Sequence, residues 1–365
     1  MNQRYESLQV LRAIAAWMVV GHHYMQMYFN YTYENIVSQI FVQRGAFGID
    51  LFFVLSGFVM YLTATRPGAT GSGFYVKRVM RIVPAYWFFT TVLIGWDKLF
   101  PWVFAYTDFN ALSLVKSYLL IPGQNPSGIG LLPYLTPGWT LIYEFLFYSV
   151  LALCLVITRR YAVLLCGIVI FAAPLAFPDG FAYSPILGNW LIWQFLFGFI
   201  IGYYVSTPLF ITVNKKIPLW VQISILFAAA LLMLSGVFGF GIPARTIAAT
   251  LIVQACILID QRANYSSRFA KFLIGCGDRS YSVYLCHVLV IGAFVHFTGW
   301  KLPWYLHLAT IVAIVFAVHL TSVLSYRFVE RGRFTMALKG ALMRLAYRLE
   351  PPSKPIGNIT AAHAD

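Results

Sequence analysis

The chain has 365 residues, of which 60% are hydrophobic and only 10% are charged. Soluble globular domains average roughly 45–50% apolar and about 25% charged residues, so this composition excludes a water-soluble enzyme. It also excludes a disordered chain, because disordered chains are poor in apolar residues. The formal charge is +14. Since the basic residues fall between long apolar segments, this charge indicates membrane topology rather than nucleic-acid binding.

Long apolar segments predict an all-α, polytopic membrane protein. A transmembrane helix needs about 20 mostly apolar residues, with a range near 17–25. Ten segments approach or meet this length, and the third and fifth are short: Leu8–Phe29, Phe47–Thr65, Ile82–Trp96, Trp139–Ile157, Ala162–Phe177, Leu187–Val205, Leu219–Phe240, Ile242–Ile259, Ser280–Phe297 and Pro303–Leu324. The shorter apolar segment Leu112–Ile121 contains Lys116 and is predicted to lie in an interfacial loop.

The basic residues between these spans predict the orientation. With the N-terminus in the cytoplasm, 20 Lys and Arg residues fall in cytoplasmic segments and four in outer segments. Cytoplasmic loops of membrane proteins carry such an excess of Lys and Arg. We therefore expect ten spans with both termini in the cytoplasm.

The chain is expected to divide into a membrane domain, residues 1–333, and a cytoplasmic tail, residues 334–365. Apolar residues recur at helical spacing between Arg331 and Leu349, with basic residues between them. This pattern is typical of a basic amphipathic helix on a membrane surface. The residues from Pro351 onward are predicted to be disordered.

The five cysteines form no C-x-x-C pair, and four of them lie inside apolar segments. This distribution is typical of small core residues. We therefore predict neither a disulfide framework nor a metal site.

The first predicted span carries two residues that are expensive inside a membrane, Arg12 and His23, and each is a candidate functional residue. They are eleven residues apart, which is three helical turns plus about 20°, so they share one face. Along the helix axis they are about 16 Å apart and cannot contact the same small group. This helix should present a cation near its inner end and a titratable base near its outer end. His22 lies about 80° away from that face, which favours a hydrogen bond to a neighbouring helix.

Two carboxylates are predicted at the same depth as His23. Glu144 and Asp50 both lie near the outer ends of spans that enter from outside. A carboxylate beside a histidine fixes its tautomer and stabilises its charged form, as in general-base catalysis. Depth alone leaves open which carboxylate is the partner, and Asp50 could instead cap its helix. His287 lies nearer the midplane, one helical turn after Tyr284, so these two share a face.

Three basic residues precede the third predicted span. Arg78 and Arg81 are three residues apart and share a helix face, with Lys77 beside them. They could simply flank the membrane on its cytoplasmic side, or they could bind phosphate groups together with Arg12. Arg245, in the eighth predicted span, could reach the membrane surface with its long side chain.

Six segments of the chain resemble motifs of the acyltransferase-3 family of integral membrane acyltransferases. The pattern from Arg12 to His23 resembles the family's R-X10-H signature. The form P-G-W-T-L-x-Y-E in the fourth segment is similar to the branch that acetylates exopolysaccharides. Cys286 stands where a tryptophan is common, and His22 is an additional neighbouring histidine. The segments are Leu11–His23, Phe47–Phe58, Phe74–Trp87, Pro137–Tyr148, Ser280–His287 and Ser325–Glu330.

The resemblance implies a membrane-bound O-acyltransferase of a bacterial inner membrane. Such an enzyme transfers an acyl group, commonly acetyl from acetyl-CoA, to a hydroxyl of a cell-surface glycan or an undecaprenyl-linked sugar. Acyl-CoA would be a co-substrate from the cytosol rather than a permanently bound cofactor. Its phosphates would be met by Arg12, Arg78 and Arg81.

The resemblance also suggests roles for other residues. His23 would act as general base or acyl acceptor, aided by Glu144 or Asp50. The substrate-binding site would be lined by Trp139, Tyr143, Tyr148, Tyr284 and His287. A proton-coupled transporter of small organic molecules or lipid-linked sugars would also need a membrane histidine and carboxylates. The chain, however, shows no internal repeat and no matching pair of broken spans, which such transporters commonly have.

Overall fold

The computed structural model describes residues 4–99, 110–125, 128–177, 184–235 and 241–351. Within these ranges all regular structure is helical, which confirms the predicted class. The α-helices are α1 Glu6–Phe29, α2 Ile36–Arg44, α3 Phe47–Ala64, α4 Gly71–Leu99, α5 Ala111–Tyr118, α6 Trp139–Ile157, α7 Ala162–Ala176, α8 Ser184–Leu187, α9 Trp193–Val205, α10 Pro208–Lys216, α11 Leu219–Ser235, α12 Ile242–Asp260, α13 Arg268–Asp278, α14 Ser280–Thr298, α15 Trp304–Ser325 and α16 Arg333–Leu349.

Every predicted span contains helix in its described part, and the last residues of the seventh span, 236–240, lie outside the described residues. Among the described residues, six helices are long and apolar enough to cross a membrane: Phe47–Ala64, Gly71–Leu99, Thr136–Ile157, Ile242–Asp260, Ser280–Thr298 and Trp304–Glu330. Two further helical pieces, Trp190–Val205 and Pro208–Asn214, are long and apolar enough only when taken together, and they meet at 74°, as in a broken span or a re-entrant loop. The helices α7 and α11 are apolar but shorter, and α1 is long but carries several polar residues. The count of ten spans and the side of the termini stay predictions.

The third predicted span is part of a longer helix. We predicted Ile82–Trp96, whereas α4 is continuous from Gly71 to Leu99. Its basic residues do not interrupt it, because long Arg and Lys side chains can extend away from apolar surroundings.

The predicted interfacial segment forms the short helix α5, which packs on α4. The Tyr86 hydroxyl donates to the Ser117 carbonyl at 2.8 Å, and the Trp87 indole donates to the Tyr118 carbonyl at 2.8 Å. These contacts hold the described part of the long connection before α6 against the bundle.

The helix α1 lies in the middle of the bundle and contacts α3, α12, α13 and α14. Close helix contact is clearest where α3 crosses α9. A Cβ atom on Gly57 would lie 2.1 Å from the Phe195 carbonyl oxygen, and one on Gly198 would lie 2.2 Å from the Val54 carbonyl oxygen. Small residues let helix backbones approach in this way. Such close packing helps to drive helix association in membranes, where the hydrophobic effect does not act between helices.

The segment predicted as an amphipathic tail helix forms α16, its cytoplasmic position stays a prediction, and residues 352–365 lie outside the described part of the chain. Glu350, just after α16, accepts hydrogen bonds from the backbone amides of Gly71 and Ser72, at 3.0 and 2.8 Å. Burial raises the pKa of the Glu350 carboxyl, but the hydrogen bonds from the Ser72 and Gly71 amides outweigh it and hold the pKa below its ordinary value. The tail helix is therefore tied to the beginning of α4.

Candidate functional site

A cavity of about 310 Å³ lies between α1, α3, α4, α6 and α14. Its lining includes five arginines, and Glu144 is the one acidic residue among the described lining residues. We call the end of the bundle where the cavity opens the basic end. The arginines are Arg4, Arg12, Arg66, Arg78 and Arg81.

Arg12, Arg78 and Arg81 line the same cavity, because the N-terminal parts of α1 and α4 both face it. The Arg78 guanidinium donates to the Thr63 hydroxyl at 2.9 Å and lies 5.8 Å from the Tyr148 ring centroid. Arg12 has a longer contact, 3.4 Å, with the Gln9 side-chain oxygen. None of the three arginines belongs to an ion pair within the described residues. Three cations without a carboxylate partner suit an anionic ligand.

Glu144 lines the same cavity and holds two hydroxyl groups. One carboxylate oxygen accepts from Ser56 at 2.7 Å, and the other accepts from Tyr148 at 2.8 Å. Because the Tyr148 ring lies against the Arg78 guanidinium, Glu144 positions the tyrosine that supports this arginine. The carboxylate of Glu144 therefore helps to fix the position of Arg78 in the cavity wall.

The deeper wall of the cavity is formed by Thr140 and Tyr284. Their hydroxyl oxygens are 3.0 Å apart, and the Tyr284 hydroxyl also donates to the Pro137 carbonyl at 3.0 Å. Behind Tyr284, the ring of His287 follows with a centroid distance of 5.8 Å. Tyr284 therefore separates the cavity from the histidines.

His23 and His287 form a pair between α1 and α14. Their ring centroids are 4.8 Å apart, and His287 Nε2 lies 3.3 Å from His23 Nδ1. His23 Nδ1 is also 3.0 Å from the Val19 carbonyl oxygen. Because a carbonyl can only accept, this contact places the proton on Nδ1 and leaves the lone pair on Nε2. His23 is thereby held in the tautomer that can accept a proton at Nε2.

The structure gives His23 a different partner from the predicted carboxylates. Its described polar contacts are with Val19 and His287, while Glu144 binds Ser56 and Tyr148. The prediction rested on depth along the spans, and depth does not specify how each helix is rotated about its axis.

Asp50 also lies apart from His23. It is fully buried and accepts from Arg245 Nη2 at 2.6 Å and from Arg245 Nε at 3.0 Å. The Gln194 amide donates to its other oxygen. This cluster joins α3, α9 and α12. The observed role of Asp50 is an ion pair with Arg245, and Arg245 is directed to that carboxylate.

Three predicted substrate residues lie outside the cavity lining: His287, which lies behind Tyr284, and Trp139 and Tyr143. Trp139 and Tyr143 pack with Phe53, with ring centroids 6.5 and 5.8 Å from it. The Tyr143 hydroxyl donates to the Pro185 carbonyl at 3.1 Å. By contrast, the prediction that Tyr148 and Tyr284 line the site is supported by their positions in the cavity wall.

Besides Thr63, which accepts from Arg78, sequence reasoning missed two hydroxyl residues that contact the candidate site residues, Ser56 and Thr140. Both lie inside apolar helices, where a hydroxyl can bond to a carbonyl of its own helix. Such residues carry no signal of function by type alone. Only the contacts of Ser56 with Glu144 and of Thr140 with Tyr284 single them out.

Comparison with known proteins supplies the family. Residues 5–326 match the model of the acyltransferase domain of the acyltransferase-3 type. The chain belongs to this family. The family resemblance predicted from the six motifs is therefore confirmed. The contacts described above now locate them: most of the motif arginines face the cavity, and the motif histidines form the pair behind Tyr284.

Two curated relatives carry names that indicate a function. The chain is 30% identical to the exopolysaccharide production protein ExoZ of Rhizobium meliloti (strain 1021), over 79% of this chain and 89% of that protein. It is 26% identical to the acyltransferase MdmB of Streptomyces mycarofaciens, over 95% of this chain and 94% of that protein. No solved structure matches the chain. The protein is thus an acyltransferase by family, with the helical character of a multi-pass membrane protein.

Proposed function

We propose that this protein transfers an acetyl group from acetyl-CoA to a hydroxyl of a cell-surface or lipid-linked polysaccharide, in a bacterial inner membrane. The observation that carries this proposal is the arginine-lined cavity whose deep wall adjoins the pair of His23 and His287. The similarity to a protein named for exopolysaccharide production supports the acceptor class.

The donor enters at the basic end in this proposal. The nucleotide part of CoA carries several negative charges, and cationic side chains bind phosphates strongly through charge-assisted hydrogen bonds. Arg12, Arg78 and Arg81 are the residues proposed to bind them. Since CoA is cytosolic, the basic end then faces the cytoplasm, in agreement with the orientation expected from the positive charge of the loops.

The transfer step uses His23 as base. The acceptor hydroxyl gives its proton to His23 Nε2 while its oxygen attacks the thioester carbonyl. The new ester bond forms, the carbon–sulfur bond breaks, and the leaving CoA thiolate takes the proton back. His287 holds the His23 ring through the contact to Nδ1. In a variant of this mechanism His23 itself first accepts the acyl group.

Tyr284 lies between the two parts of the site. We propose that the thioester lies beside the hydroxyls of Tyr284 and Thr140, because they form the deep wall that adjoins His287. Glu144 acts away from the reacting atoms by holding Tyr148 under Arg78. Asp50 takes no part in this step, since its contacts are with Arg245 and Gln194.

The proposal is tested with purified protein in nanodiscs, labelled acetyl-CoA and polysaccharide from the host. We expect label to move covalently to the polysaccharide, and the transfer to be lost in Arg12→Ala. Labelled acetyl-CoA that binds without transfer to polysaccharide or lipid-linked sugar would overturn the proposed reaction. Accumulation of unmodified substrate inside vesicles would instead identify a transporter, which the family assignment does not favour.

A further inference from the structure

The tail helix α16 carries a lysine on the face that packs against α4. Lys339 stands four residues after Thr335 and seven before Ala346, so these three residues share one helix face. Thr335 and Ala346 are buried. Lys339 is therefore directed toward the body of the protein and is half-buried, unlike the exposed Arg344 of the same helix.

Several contacts fix α16 in this position. The Ser72 hydroxyl donates to the Ala346 carbonyl at 3.1 Å, and Glu350 caps the first amides of α4. The Tyr347 ring packs so closely on Gly73 that a Cβ there would lie 2.9 Å from it. The position of Lys339 is thus set by packing and hydrogen bonds rather than by its own charge.

Lys339 lies next to elements that carry other cations, because α16 packs against α4, which holds Lys77, Arg78 and Arg81, and against the helical turn Tyr326–Glu330, which precedes Arg331. Burial lowers the pKa of Lys339, and the charges of Lys77, Arg81, Arg78 and Arg331 lower it further. Within the described residues none of these five side chains takes part in an ion pair. Like charges held close together cost free energy, which a bound anion recovers. The contacts of α16 therefore hold Lys339 near these cations.

This cluster continues the donor cavity. Arg78 and Arg81 belong both to the cavity lining and to the cations around Lys339. Among the described residues, those that line the cavity include Arg78 and Arg81 but not Lys339. In CoA the pyrophosphate lies next to the pantetheine arm, and the 3′-phosphate lies at the far, ribose end. An extended donor whose pyrophosphate binds Arg78 and Arg81 would therefore place its 3′-phosphate outside the cavity, toward Lys339.

We propose that Lys339, with Lys77 and Arg331, binds the 3′-phosphate of the CoA donor, an inference that rests on the proposed function. The C-terminal helix then distinguishes CoA from nucleotides without this phosphate. A phosphate of an anionic lipid headgroup has the same chemistry, and the experiment separates these two sources.

The test compares CoA with 3′-dephospho-CoA as competitors of labelled acetyl-CoA binding, using the full chain in nanodiscs. In the wild type we expect CoA to bind about tenfold more tightly than 3′-dephospho-CoA, as for one charge-assisted contact at a partly exposed site. Lys339→Ala should weaken CoA binding about fivefold and leave 3′-dephospho-CoA unchanged. Arg344→Ala, on an exposed position of the same helix, is the matched control and should change neither affinity.

The assay is run in phosphatidylcholine nanodiscs and repeated with phosphatidylglycerol. An effect of Lys339→Ala in both lipids supports the inference, whereas an effect only with phosphatidylglycerol assigns the cluster to a lipid headgroup and overturns it. Equal weakening of both nucleotides also overturns it. If the wild type binds CoA without preference, the inference alone fails. If it binds neither nucleotide, the proposed donor fails as well.

Discussion

The ion pair between Asp50 and Arg245 should stabilise the fold rather than take part in the reaction. The Asp50 side chain is 1% exposed and the Arg245 side chain 22%. Removing one partner of a buried ion pair costs about 3–5 kcal/mol, because the other charge is left without compensation. Since Arg245 keeps some contact with solvent, we expect Asp50→Asn to lower the free energy of unfolding by about 3 kcal/mol, the low end of this range.

A double-mutant cycle measures the interaction energy between Asp50 and Arg245 separately from their contacts with other residues. Arg245→Met leaves the more deeply buried Asp50 uncompensated and should cost at least as much as Asp50→Asn. The double variant leaves no unpaired charge, so its cost should be smaller than the sum of the single costs by about 2–3 kcal/mol. The measurement is reversible unfolding in mixed micelles, together with kcat for acyl transfer by the folded fraction.

We expect kcat per folded molecule to be retained in Asp50→Asn, because the Asp50 carboxylate contacts Arg245 and Gln194. An Asp50→Asn protein that unfolds like the wild type but has lost acyl transfer would refute it, and would return Asp50 to the chemistry. Additive single costs would show that the two side chains do not interact in the folded protein.

Three further predictions follow from other contacts. Gly57→Ala should destabilise the fold by about 2–3 kcal/mol, because the new Cβ would lie 2.1 Å from a backbone oxygen of α9. Gly95→Ala is the control: no atom lies within 4 Å of its new Cβ, so it should be neutral or slightly stabilising. Thermal unfolding of the two variants tests this difference. Glu144→Gln should raise KM for acetyl-CoA by about fivefold and change kcat little, because it weakens the hydrogen bond that holds the Tyr148 ring against Arg78. A fall in kcat at unchanged KM would contradict this. The carboxylate of Glu350 has a lowered pKa, so its contribution to docking α16 is complete at neutral pH and is lost as the pH falls below about 4. Protease cleavage before α16 should rise over that range in the wild type, and Glu350→Gln should already show the higher rate at pH 7; equal rates would contradict the docking role.

Much of the fold could be predicted from apolar segments alone. In a membrane the backbone N–H and C=O groups must form hydrogen bonds within the protein, so a long apolar segment predicts a helix directly. The bounds of α4 were missed because charge was taken as the end of a span, although Lys77 and Arg78 continue the helix. The number of true spans depends on tilt and bending, such as the 74° bend after Val205, and these follow from packing rather than composition.

The candidate site was predictable in part. Helical spacing put Arg12 and His23 on one face, and the structure agrees, with one beside the cavity and the other at the histidine pair. The partner of His23 could not be predicted, because choosing among Glu144, Asp50 and His287 requires the rotation of three other helices. That rotation is set by contacts between distant segments, for which a single sequence has no periodic signal.

The most direct test of the central claim compares two adjacent histidines. Acetyl transfer from labelled acetyl-CoA is measured for His23→Ala and for His22→Ala, each in nanodiscs and each with its binding of CoA measured in parallel. The two rings are neighbours, with centroids 5.4 Å apart, but the account assigns the base to His23 alone. We predict that His23→Ala binds CoA normally and loses transfer at least a hundredfold, as for removal of a general base, while His22→Ala keeps transfer within about threefold. Normal transfer by a folded His23→Ala protein would contradict the account.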